Sequence, residues 1–426
     1  MGFLTIRKSV LEGVVKAPPS KAYTHRLLIA ASLASRPSKI ENPLICRDTE
    51  STVRAVTQYG SKVTRRGNMW IVVGKGVVET PTNVVDCGES AATLRFTAPI
   101  LANAPGISVL TGRKGLLKRP MGPMIHALRQ LGVDAYSTRG DGCPPIVVFG
   151  GGFKGGAISL RGDVSSQFLS GLLFAAPLAS GELTISMTTE LESKPYVDMT
   201  MEVLKEHGVE VSVEGYREFT VSGRQEYRAR DHAVEGDYSS AAFLAAAAAV
   251  TQSNVKIIGL SPNSLQGDRR VLQILSDMSV KVKWVDGCLV VEGDGRIDGV
   301  EVEARDVPDL VPVVAALACY AEGETIIKSV ERLRFKESDR VASMMAEFSK
   351  TGAKLTYREG SLTIKGGRLK PATFQSHGDH RIAMACAVLG LGIEGESKIS
   401  SYGCVKKSYP NFFMDLKSLG AEIAGI

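Results

Sequence analysis

Two stretches of the sequence are near copies of one another, Gly162-Asp163-Val164-Ser165-Ser166 and Gly236-Asp237-Tyr238-Ser239-Ser240. Each is followed by a run rich in alanine and leucine, and each run gives way to a segment of the kind found in strands. Small polar residues before an apolar run are typical of helix N-caps, because their side-chain oxygens accept hydrogen bonds from free backbone N–H groups. We therefore interpret both stretches as the starts of buried helices in a repeated unit.

The same order of features occurs at four more places along the chain. The six helix starts fall at residues 20, 88, 163, 237, 308 and 379, so the sequence repeats every 68 to 75 residues. A second helix in each unit has apolar residues three and four positions apart and often ends at a glycine such as Gly208, as expected of an amphipathic helix. Short strands lie between and after the helices, so each unit is predicted to be β-α-β-α-β-β.

The first helix of each unit is almost entirely apolar and is predicted to be buried, whereas the second is predicted to lie outside. Six such units predict an α/β fold of two lobes, each with three βαβαββ repeats whose buried helices are surrounded by sheets and outer helices, an inside-out α/β barrel. We place residues 1–13 and 229–426 in one lobe, closed by the N-terminal strand, and residues 14–228 in the other. We expect the active site in the cleft between the lobes.

The composition excludes several classes of protein. The 426 residues include 51 Lys and Arg against 45 Asp and Glu, and no dense basic tail is present, so we expect no nucleic-acid partner. The apolar runs are too short to span a bilayer, and the first residues do not have the pattern of a secretory signal. The seven cysteines contain no C-x-x-C pair and the six histidines no H-x-x-x-H pair. We therefore expect a cytoplasmic protein with reduced thiols, no membrane association and no metal.

Basic side chains are concentrated at the predicted helix starts, where free N–H groups also favour anions. The sequence therefore predicts a site for substrates that carry several phosphates or carboxylates. Asp309 and Glu337 are the acidic residues of this basic set that we consider catalytic candidates, because neighbouring cations shift pKa values. Helix capping and charge pairing are the alternative role for Glu337, and the role that we prefer for Asp339. His380 is either a proton carrier or a hydrogen-bond donor to an anion.

The motifs at these helix starts resemble, in order and in spacing, those of the 5-enolpyruvylshikimate-3-phosphate synthase family of enolpyruvyl transferases. The resemblance covers essentially the whole chain. The matching segments are Pro19–Arg26, Cys87–Arg95, Lys118–Met121, Ser165–Gln167, Ser193–Tyr196, Pro308–Asp309, Lys336–Arg340, Asp379–Arg381 and Lys407–Pro410. The resemblance implies transfer of the enolpyruvyl group of phosphoenolpyruvate to the 5-hydroxyl of shikimate 3-phosphate, with release of phosphate, on the route to chorismate and the aromatic amino acids. It also implies a monomer that needs no cofactor.

The resemblance further implies a role for each matching residue. Asp309 takes the proton from the 5-hydroxyl, and Glu337 or Lys21 protonates carbon 3 of phosphoenolpyruvate. The residues implied to bind shikimate 3-phosphate are Lys21, Ala22, Arg26, Ser165, Ser166, Gln167, Ser193, Tyr196, Asp309 and Lys336. Those implied to bind phosphoenolpyruvate are Lys21, Ala91, Arg119, Gln167, Arg340, Arg381 and Lys407.

Three positions depart from the family pattern. Ala22 stands where the family usually has serine, and the missing hydroxyl is expected to weaken binding of shikimate 3-phosphate by about 1 kcal/mol. Ala91 and Ala92 stand where glycine and threonine are common. We hypothesise that the methyl group of Ala91 crowds ligands longer than phosphoenolpyruvate and makes the enzyme relatively insensitive to glyphosate.

Three other classes fit the sequence less well. The related transferases that act on UDP-N-acetylglucosamine carry a catalytic cysteine before their Arg-Pro pair, and residues 111–118 contain none. The RNA terminal phosphate cyclases share the repeat architecture, but their motifs do not match. A non-catalytic scaffold is disfavoured because Lys21, Asp309, Glu337 and Lys407 are all present.

Overall fold

The computed structural model describes residues 2–113 and 115–426. The chain divides into a discontinuous unit, made of Met1–Pro18 and Gly236–Ile426, and a continuous unit, Pro19–Glu235. The chain passes from one unit to the other after Pro18 and after Glu235, a few residues beyond the predicted boundaries at 13/14 and 228/229. The reason is strand pairing, because residues 12–16 pair with a strand of the discontinuous unit and residues 232–233 with a strand of the continuous unit.

In the described residues, each unit alternates buried and outer α-helices. The helices of the continuous unit are α1 (Lys21–Leu33), α2 (Arg47–Gln58), α3 (Ala91–Leu101), α4 (Gly122–Gln130), α5 (Ser166–Ala175) and α6 (Lys194–Glu206). The helices of the discontinuous unit are α7 (Tyr238–Val250), α8 (Val271–Asp277), α9 (Val311–Ala318), α10 (Arg340–Phe348), α11 (His380–Gly392) and α12 (Phe412–Ser418). None of these helices is both long and apolar enough to span a membrane.

The strands are short. Before the continuous unit come β1 (Phe3–Arg7) and β2 (Glu12–Lys16). The continuous unit contains β3 (Ser38–Glu41), β4 (Lys62–Arg66), β5 (Met69–Val73), β6 (Val85–Asp86), β7 (Ile107–Thr111), β8 (Ala135–Ser137), β9 (Ile146–Phe149), β10 (Gly156–Leu160), β11 (Leu183–Met187), β12 (Ser212–Glu214), β13 (Glu218–Val221) and β14 (His232–Ala233). After it come β15 (Asn254–Ile258), β16 (Lys281–Val285), β17 (Cys288–Glu292), β18 (Glu301–Glu303), β19 (Glu324–Lys328), β20 (Lys354–Arg358), β21 (Ser361–Lys365), β22 (Thr373–Gln375), β23 (Glu396–Ser400) and β24 (Ile423–Ala424).

Among the described residues the strands form six separate four-stranded sheets that share one topology. In the sheet β6-β7-β9-β8, the first two strands are parallel and the other two pairings are antiparallel. Three sheets are completed by segments distant in sequence: β14 pairs with β3, β2 pairs with β15, and β1 lies between β23 and β24. The predicted βαβαββ unit is therefore confirmed, and the N-terminal strand closes the last repeat of the discontinuous unit.

The predicted burial of the first helix in each repeat is confirmed. All thirteen residues of α7 are buried, and five of them in succession are alanine.

Small residues allow the buried helices to approach closely. At Gly171 in α5, an added Cβ would lie 2.2 Å from the backbone oxygen of Arg95 in α3, a separation at which one backbone would have to move. Each unit has its own hydrophobic core built around such helices.

The predicted caps are confirmed for five of the six buried helices. In each of the five, a side-chain oxygen accepts a hydrogen bond from a backbone N–H group in the first turn, and the capping residues are Ser20, Ser90, Ser165, Asp237 and Asp379. Helix α9 differs, because its N-cap is Leu310 and no side chain caps it. The prediction that Asp309 opens this helix as a cap is therefore wrong, and the cause lies in the contacts that Asp309 makes instead.

Candidate active site

Asp309 is held by two arginines that begin neighbouring helices of the discontinuous unit. Nη1 of Arg340, the first residue of α10, lies 2.8 Å from Oδ1 of Asp309. Nη2 of Arg381, the second residue of α11, lies 2.7 Å from Oδ2. Burial raises the pKa of Asp309, but the cations of Arg381, Lys336 and Arg340 outweigh burial and hold it well below its usual value. Both carboxylate oxygens are committed to arginines, which explains why Asp309 does not cap α9.

Arg340 joins three carboxylates. Besides Asp309, its Nη2 lies 2.8 Å from Glu337 Oε2 and its Nε lies 2.9 Å from Asp379 Oδ2. The Arg340 side chain is 1% exposed and that of Asp379 is fully buried. Burial lowers the pKa of Arg340, but the carboxylates of Asp379, Glu337 and Asp309 more than offset this and raise it. Arg340 therefore remains charged and fixes the relative positions of Asp309 and Glu337.

Two lysines complete this cluster. Nζ of Lys407 lies 3.3 Å from Glu337 Oε1, and only 6% of the Lys407 side chain is exposed. Nζ of Lys336 lies 4.0 Å from Asp309 Oδ1. Burial lowers the pKa of Lys336 to about 7, although the negative charge of Asp309 acts to raise it. The charge of Lys336 is therefore sensitive to pH near neutrality and to the charge of whatever lies beside it.

Asp339 and His380, which lie beside this cluster, and Glu337 within it have contacts that bear on their predicted roles. Asp339 accepts a hydrogen bond from the backbone N–H of Ala342 at 3.0 Å and pairs with Arg334 at 3.3 Å, which confirms the predicted capping role. Glu337 has the charge pairing predicted as its alternative role, and its partner Arg340 also binds Asp309. His380 is buried, with its Nδ1 3.7 Å from Asp379 Oδ1.

The corresponding cluster of the continuous unit begins at Lys21, the first residue of α1. Its Nζ lies 3.1 Å from Oδ2 of Asp48, whose side chain is 7% exposed. Asp48 lies in the first turn of α2, which begins at Arg47. We did not single out Asp48 from the sequence. The sequence feature that could have indicated Asp48 is an acidic residue two positions after Cys46, where a helix begins.

Arg26 uses its guanidinium group to join α1 to α6. Its Nε donates to Thr200 Oγ1 at 2.9 Å, its Nη2 to the backbone oxygen of Tyr196 at 2.7 Å, and its Nη1 to that of Ala22 at 3.0 Å. The guanidinium carbon also lies 5.8 Å from the centroid of the Tyr196 ring. Arg26 therefore fixes the positions of Ala22 and Tyr196, and a role in ligand binding remains a prediction.

Arg95 connects two of the predicted anion-binding residues. Its Nη1 lies 3.1 Å from both Ser165 Oγ and Gln167 Oε1, and its Nη2 donates to the backbone oxygen of Pro120 at 3.2 Å. Arg119 follows Lys118 in the same loop and is 7% exposed. Although the basic residues at helix starts include Arg95, we did not assign it to a ligand. The contacts show that it orients the start of α5 against the loop at Pro120.

The remaining predicted residues of the continuous unit lie at helix starts. Ala91 is the first residue of α3, Ser166 is the first residue of α5, and Ser193 is the N-cap of α6 with φ of 59°. In the discontinuous unit, the described ion pairs connect Asp309 with six other charged residues, and fixed cations of this kind are suited to small molecules with several negative charges. The six are Lys336, Glu337, Arg340, Asp379, Arg381 and Lys407.

The fold matches solved enzymes along its full length. An EPSP synthase from Acinetobacter baumannii superposes with a TM-score of 0.84 at 25% identity, and the match covers 100% of both chains. A second structure described as EPSP synthase from Acinetobacter baumannii gives a TM-score of 0.83. The architecture and its charged clusters therefore define an enolpyruvyl transferase.

Sequence comparison gives the family. Residues 6–416 match the model of EPSP synthase (3-phosphoshikimate 1-carboxyvinyltransferase), so the chain belongs to this family. A 3-phosphoshikimate 1-carboxyvinyltransferase of Methanococcoides burtonii is 42% identical over 425 residues, covering 99% of this chain and 98% of the relative. One of Methanocella arvoryzae is 44% identical over 421 residues, covering 98% and 99%.

Proposed function

We propose that this chain transfers the enolpyruvyl group of phosphoenolpyruvate to the 5-hydroxyl of shikimate 3-phosphate, with Asp309 as the base. The observation that carries this proposal is the cluster in which Arg340 and Arg381 hold both oxygens of Asp309 while Arg340 and Lys407 hold Glu337. A carboxylate among fixed cations is suited to a reaction that moves a proton between anionic reactants.

The ion pairs of Asp309 suggest how the base becomes active. Arg340, Arg381 and Lys407, together with Arg119, are proposed to bind the phosphate and carboxylate of phosphoenolpyruvate. A bound anion competes with Asp309 for the two guanidinium groups and adds negative charge beside it. Both effects raise the pKa of Asp309, because fewer cations then stabilise its ionised form. Substrate binding therefore converts a weak base into a stronger one.

The bond changes follow from this arrangement. Asp309 takes the proton of the 5-hydroxyl while that oxygen bonds to carbon 2 of phosphoenolpyruvate. Carbon 3 receives a proton from Glu337 or Lys21, giving a tetrahedral intermediate. Carbon 3 then returns a proton to a base of the site, the bond from carbon 2 to the phosphate oxygen breaks, and the double bond forms again. The departing phosphate takes up a proton in place of the one that Asp309 removed from the 5-hydroxyl. The products are therefore the enolpyruvyl ether and inorganic hydrogen phosphate, and the protein returns to its starting protonation.

The residues proposed to bind shikimate 3-phosphate lie mostly at the starts of helices. Lys21, Ala22 and Arg26 are in the first two turns of α1, and Ser193 and Tyr196 begin α6. Ser165, Ser166 and Gln167 begin α5. These supply hydroxyl, amide and cationic donors, and Gln167 and Lys21 are also proposed to contact phosphoenolpyruvate. Asp309 and Lys336 complete the set.

Phosphate release is the assay that tests the proposal. We expect release from phosphoenolpyruvate only when shikimate 3-phosphate is present, and a loss of about 100-fold or more in kcat for Asp309→Asn, which keeps the side-chain shape but cannot accept the proton. Asp277→Asn, at an exposed carboxylate of the discontinuous unit, serves as the matched control and should retain the native rate. Release that ignores the shikimate compound would overturn the proposed function.

Deuterium exchange into carbon 3 distinguishes the two candidate acids. With both reactants in heavy water, the group that protonates carbon 3 controls the rate at which deuterium enters recovered phosphoenolpyruvate. Glu337→Gln and Lys21→Met are compared with Glu331→Gln at an exposed position. The variant that stops exchange identifies the acid. Exchange at the native rate in both site variants would remove both assignments.

We further propose that the chain acts as a monomer in the cytoplasm. All seven cysteines are free thiols, as expected in a reducing compartment. Sedimentation equilibrium tests the proposed monomer, for which we expect a mass near the 45.5 kDa of one chain.

A further inference from the structure

A buried glutamate with no part in the proposed mechanism lies near the end of α10. Glu347 is 2% exposed, and three donors hold its carboxylate. Oε2 accepts from the backbone N–H of Gln375 at 2.7 Å and from Nζ of Lys350 at 2.6 Å, and Oε1 lies 2.8 Å from Nε2 of His377. Burial raises the pKa of Glu347, but the hydrogen bonds outweigh burial and hold it below its usual value. Glu347 is therefore an ionised acceptor at neutral pH.

Two of these donors lie in residues 375–379, the segment that joins β22 to α11 and is here called the α11 turn. Its backbone is sharply bent, since His377 has φ of 52° and Gly378 has φ of 71°. The Ser376 hydroxyl accepts from the N–H of Gly378 at 3.2 Å, and the N–H of Asp379 donates to the backbone oxygen of Ser376 at 2.9 Å. Because these bonds hold the turn in one shape, a contact at His377 also fixes the position of Asp379.

The α11 turn also holds the start of α10. Asp379 Oδ2 lies 2.9 Å from Nε of Arg340, the first residue of α10, and Asp379 caps α11, whose second residue is Arg381. Helix α10 is therefore bonded to the turn at two places, through Arg340 and through Glu347, which are about 10 Å apart along the helix axis. Two contacts at this separation prevent the helix from turning against the α11 turn, so Glu347 fixes the direction of the Arg340 side chain.

The same turn is bonded to the segment that carries Lys407. The Ser376 hydroxyl donates to the backbone oxygen of Ser401 at 3.1 Å, and Ser401 is the N-cap of the 3₁₀ helix Tyr402–Lys407. Nζ of Lys407 in turn lies 3.3 Å from Glu337. The α11 turn is thus connected to every element of the discontinuous unit that carries a cation proposed to bind phosphoenolpyruvate.

We propose that Glu347 is a positioning residue for the binding of phosphoenolpyruvate. Its carboxylate holds the α11 turn against α10, and the turn sets the places of Arg340, Arg381 and Lys407. Fixed cations bind the phosphate and the carboxylate of one small molecule together only when their spacing matches it, and a small misplacement is costly. The inference rests on the proposed role of these three cations in binding phosphoenolpyruvate.

Glu347→Ala tests the proposal by separating KM from kcat. The variant loses all three hydrogen bonds of the carboxylate, so we expect the KM for phosphoenolpyruvate to rise about 10-fold or more at saturating shikimate 3-phosphate. Leu275→Ala is the matched control, because Leu275 is fully buried in the core of the same unit, on α8. A purely structural effect reduces the amount of folded enzyme, and hence the apparent kcat, but leaves KM unchanged. A native KM in Glu347→Ala, or an equal rise in Leu275→Ala, contradicts the proposal.

Glu347→Gln and Glu347→Asp separate the reach of the side chain from its charge. In Glu347→Gln the amide oxygen can replace Oε2 as the acceptor for Gln375 and Lys350, and the amide nitrogen can donate to a neutral His377 ring. Glu347→Asp keeps the charge on a shorter side chain. The proposal predicts a KM near the native value for Glu347→Gln and a raised KM for Glu347→Asp. The reverse order would overturn it, and this pair decides the matter should Glu347→Ala fail to fold.

Amide hydrogen exchange on the unliganded protein tests the contact without any assay of transfer. Exchange across residues 375–381 should be about 10-fold or more faster in Glu347→Ala than in the native chain, and close to native in Glu347→Gln. Calorimetric titration with phosphoenolpyruvate should show weaker binding to Glu347→Ala. That result in a chain that transfers no enolpyruvyl group would remove the proposed function alone. Transfer by the native chain, with native exchange and native KM in Glu347→Ala, would overturn the inference alone.

Discussion

Nη2 of Arg381 lies 2.7 Å from Oδ2 of Asp309, so a residue proposed to bind phosphoenolpyruvate is ion-paired with the residue proposed to act as the base. The ion pair has two consequences. It keeps Asp309 ionised before substrate arrives, and it makes Arg381 a shared partner for which the substrate must compete. In the proposed mechanism, substrate binding and activation of the base are therefore the same event.

Arg381→Lys should therefore weaken the binding of phosphoenolpyruvate more than it slows catalysis. Lysine keeps the charge but loses the planar fork that binds two oxygens at once. We expect the KM for phosphoenolpyruvate to rise about 10-fold or more, while kcat falls by a smaller factor. Steady-state kinetics at saturating shikimate 3-phosphate measure both. Arg358→Lys, at an exposed position in β20, is the control. An unchanged KM in Arg381→Lys would show that Arg381 does not hold this substrate.

Ala91→Gly tests the hypothesis on glyphosate. Ala91 is the first residue of α3 and is 8% exposed, so its methyl group has little room to move. If that methyl crowds ligands longer than phosphoenolpyruvate, its removal should lower the concentration of glyphosate needed for half-inhibition, with little change in the KM for phosphoenolpyruvate. Inhibition curves for both proteins are the measurement. Equal sensitivity would remove the hypothesis.

Gly171→Ala should destabilise the continuous unit, because the new methyl group would meet the backbone of α3 at Arg95. Overpacking of this kind costs about 1–3 kcal/mol of unfolding free energy. We expect a loss near the upper end of this range, because the new methyl group and the atom it meets both belong to rigid helical backbone. Gly122→Ala is the matched control, because it opens α4 and nothing lies within 4 Å of the added Cβ. Chemical denaturation measures both. A loss of stability in Gly122→Ala as large as in Gly171→Ala would contradict the packing argument.

His207 should make the stability of the chain depend on pH. Its Nδ1 is 2.8 Å from the backbone oxygen of Arg228 and must donate to it, so its Nε2 accepts from Nε2 of His232 at 3.0 Å. Burial lowers the pKa of His207 to about 4. The unfolded chain takes up this proton near pH 6.5, so stability is complete above that value and falls as the pH drops toward 4, by about 3 kcal/mol at most.

His207→Asn keeps a donor for Arg228 and cannot titrate in this range, so its unfolding free energy should change less between pH 6.5 and 4 than that of the native chain. His126→Asn, at an exposed position of α4, should keep the native slope. Urea denaturation at several pH values provides the data. Parallel slopes for the native chain and His207→Asn would show that His207 is not the group responsible.

The sequence predicted the repeat because its signals are local. Ser20, Ser90, Ser165, Asp237 and Asp379 precede apolar runs, and each caps the helix that follows. The partners of β14 could not be predicted in this way, because a two-residue strand has no periodicity and its pairing with β3 joins residues almost 200 positions apart in the chain.

The site shows the same division between local and long-range information. The matching motifs identified Asp309, Glu337, Arg340, Arg381 and Lys407 as functional, and the structure brings these five together. The pairing of Asp309 with two arginines could not be predicted from its neighbours in the chain, because the arginines are 31 and 72 positions away. Asp48 was missed because it lies in the first turn of a helix, where an acidic residue is ordinarily explained by its favourable effect on the helix start.

Phosphorus-31 NMR of the enzyme with equal amounts of phosphoenolpyruvate and shikimate 3-phosphate tests the central claim most directly. The phosphoenolpyruvate resonance should give way to inorganic phosphate while the shikimate 3-phosphate resonance is replaced, in equal amount, by that of its enolpyruvyl ether, and Asp309→Asn should slow both changes together. Inorganic phosphate that accumulates beside unaltered shikimate 3-phosphate would contradict the account.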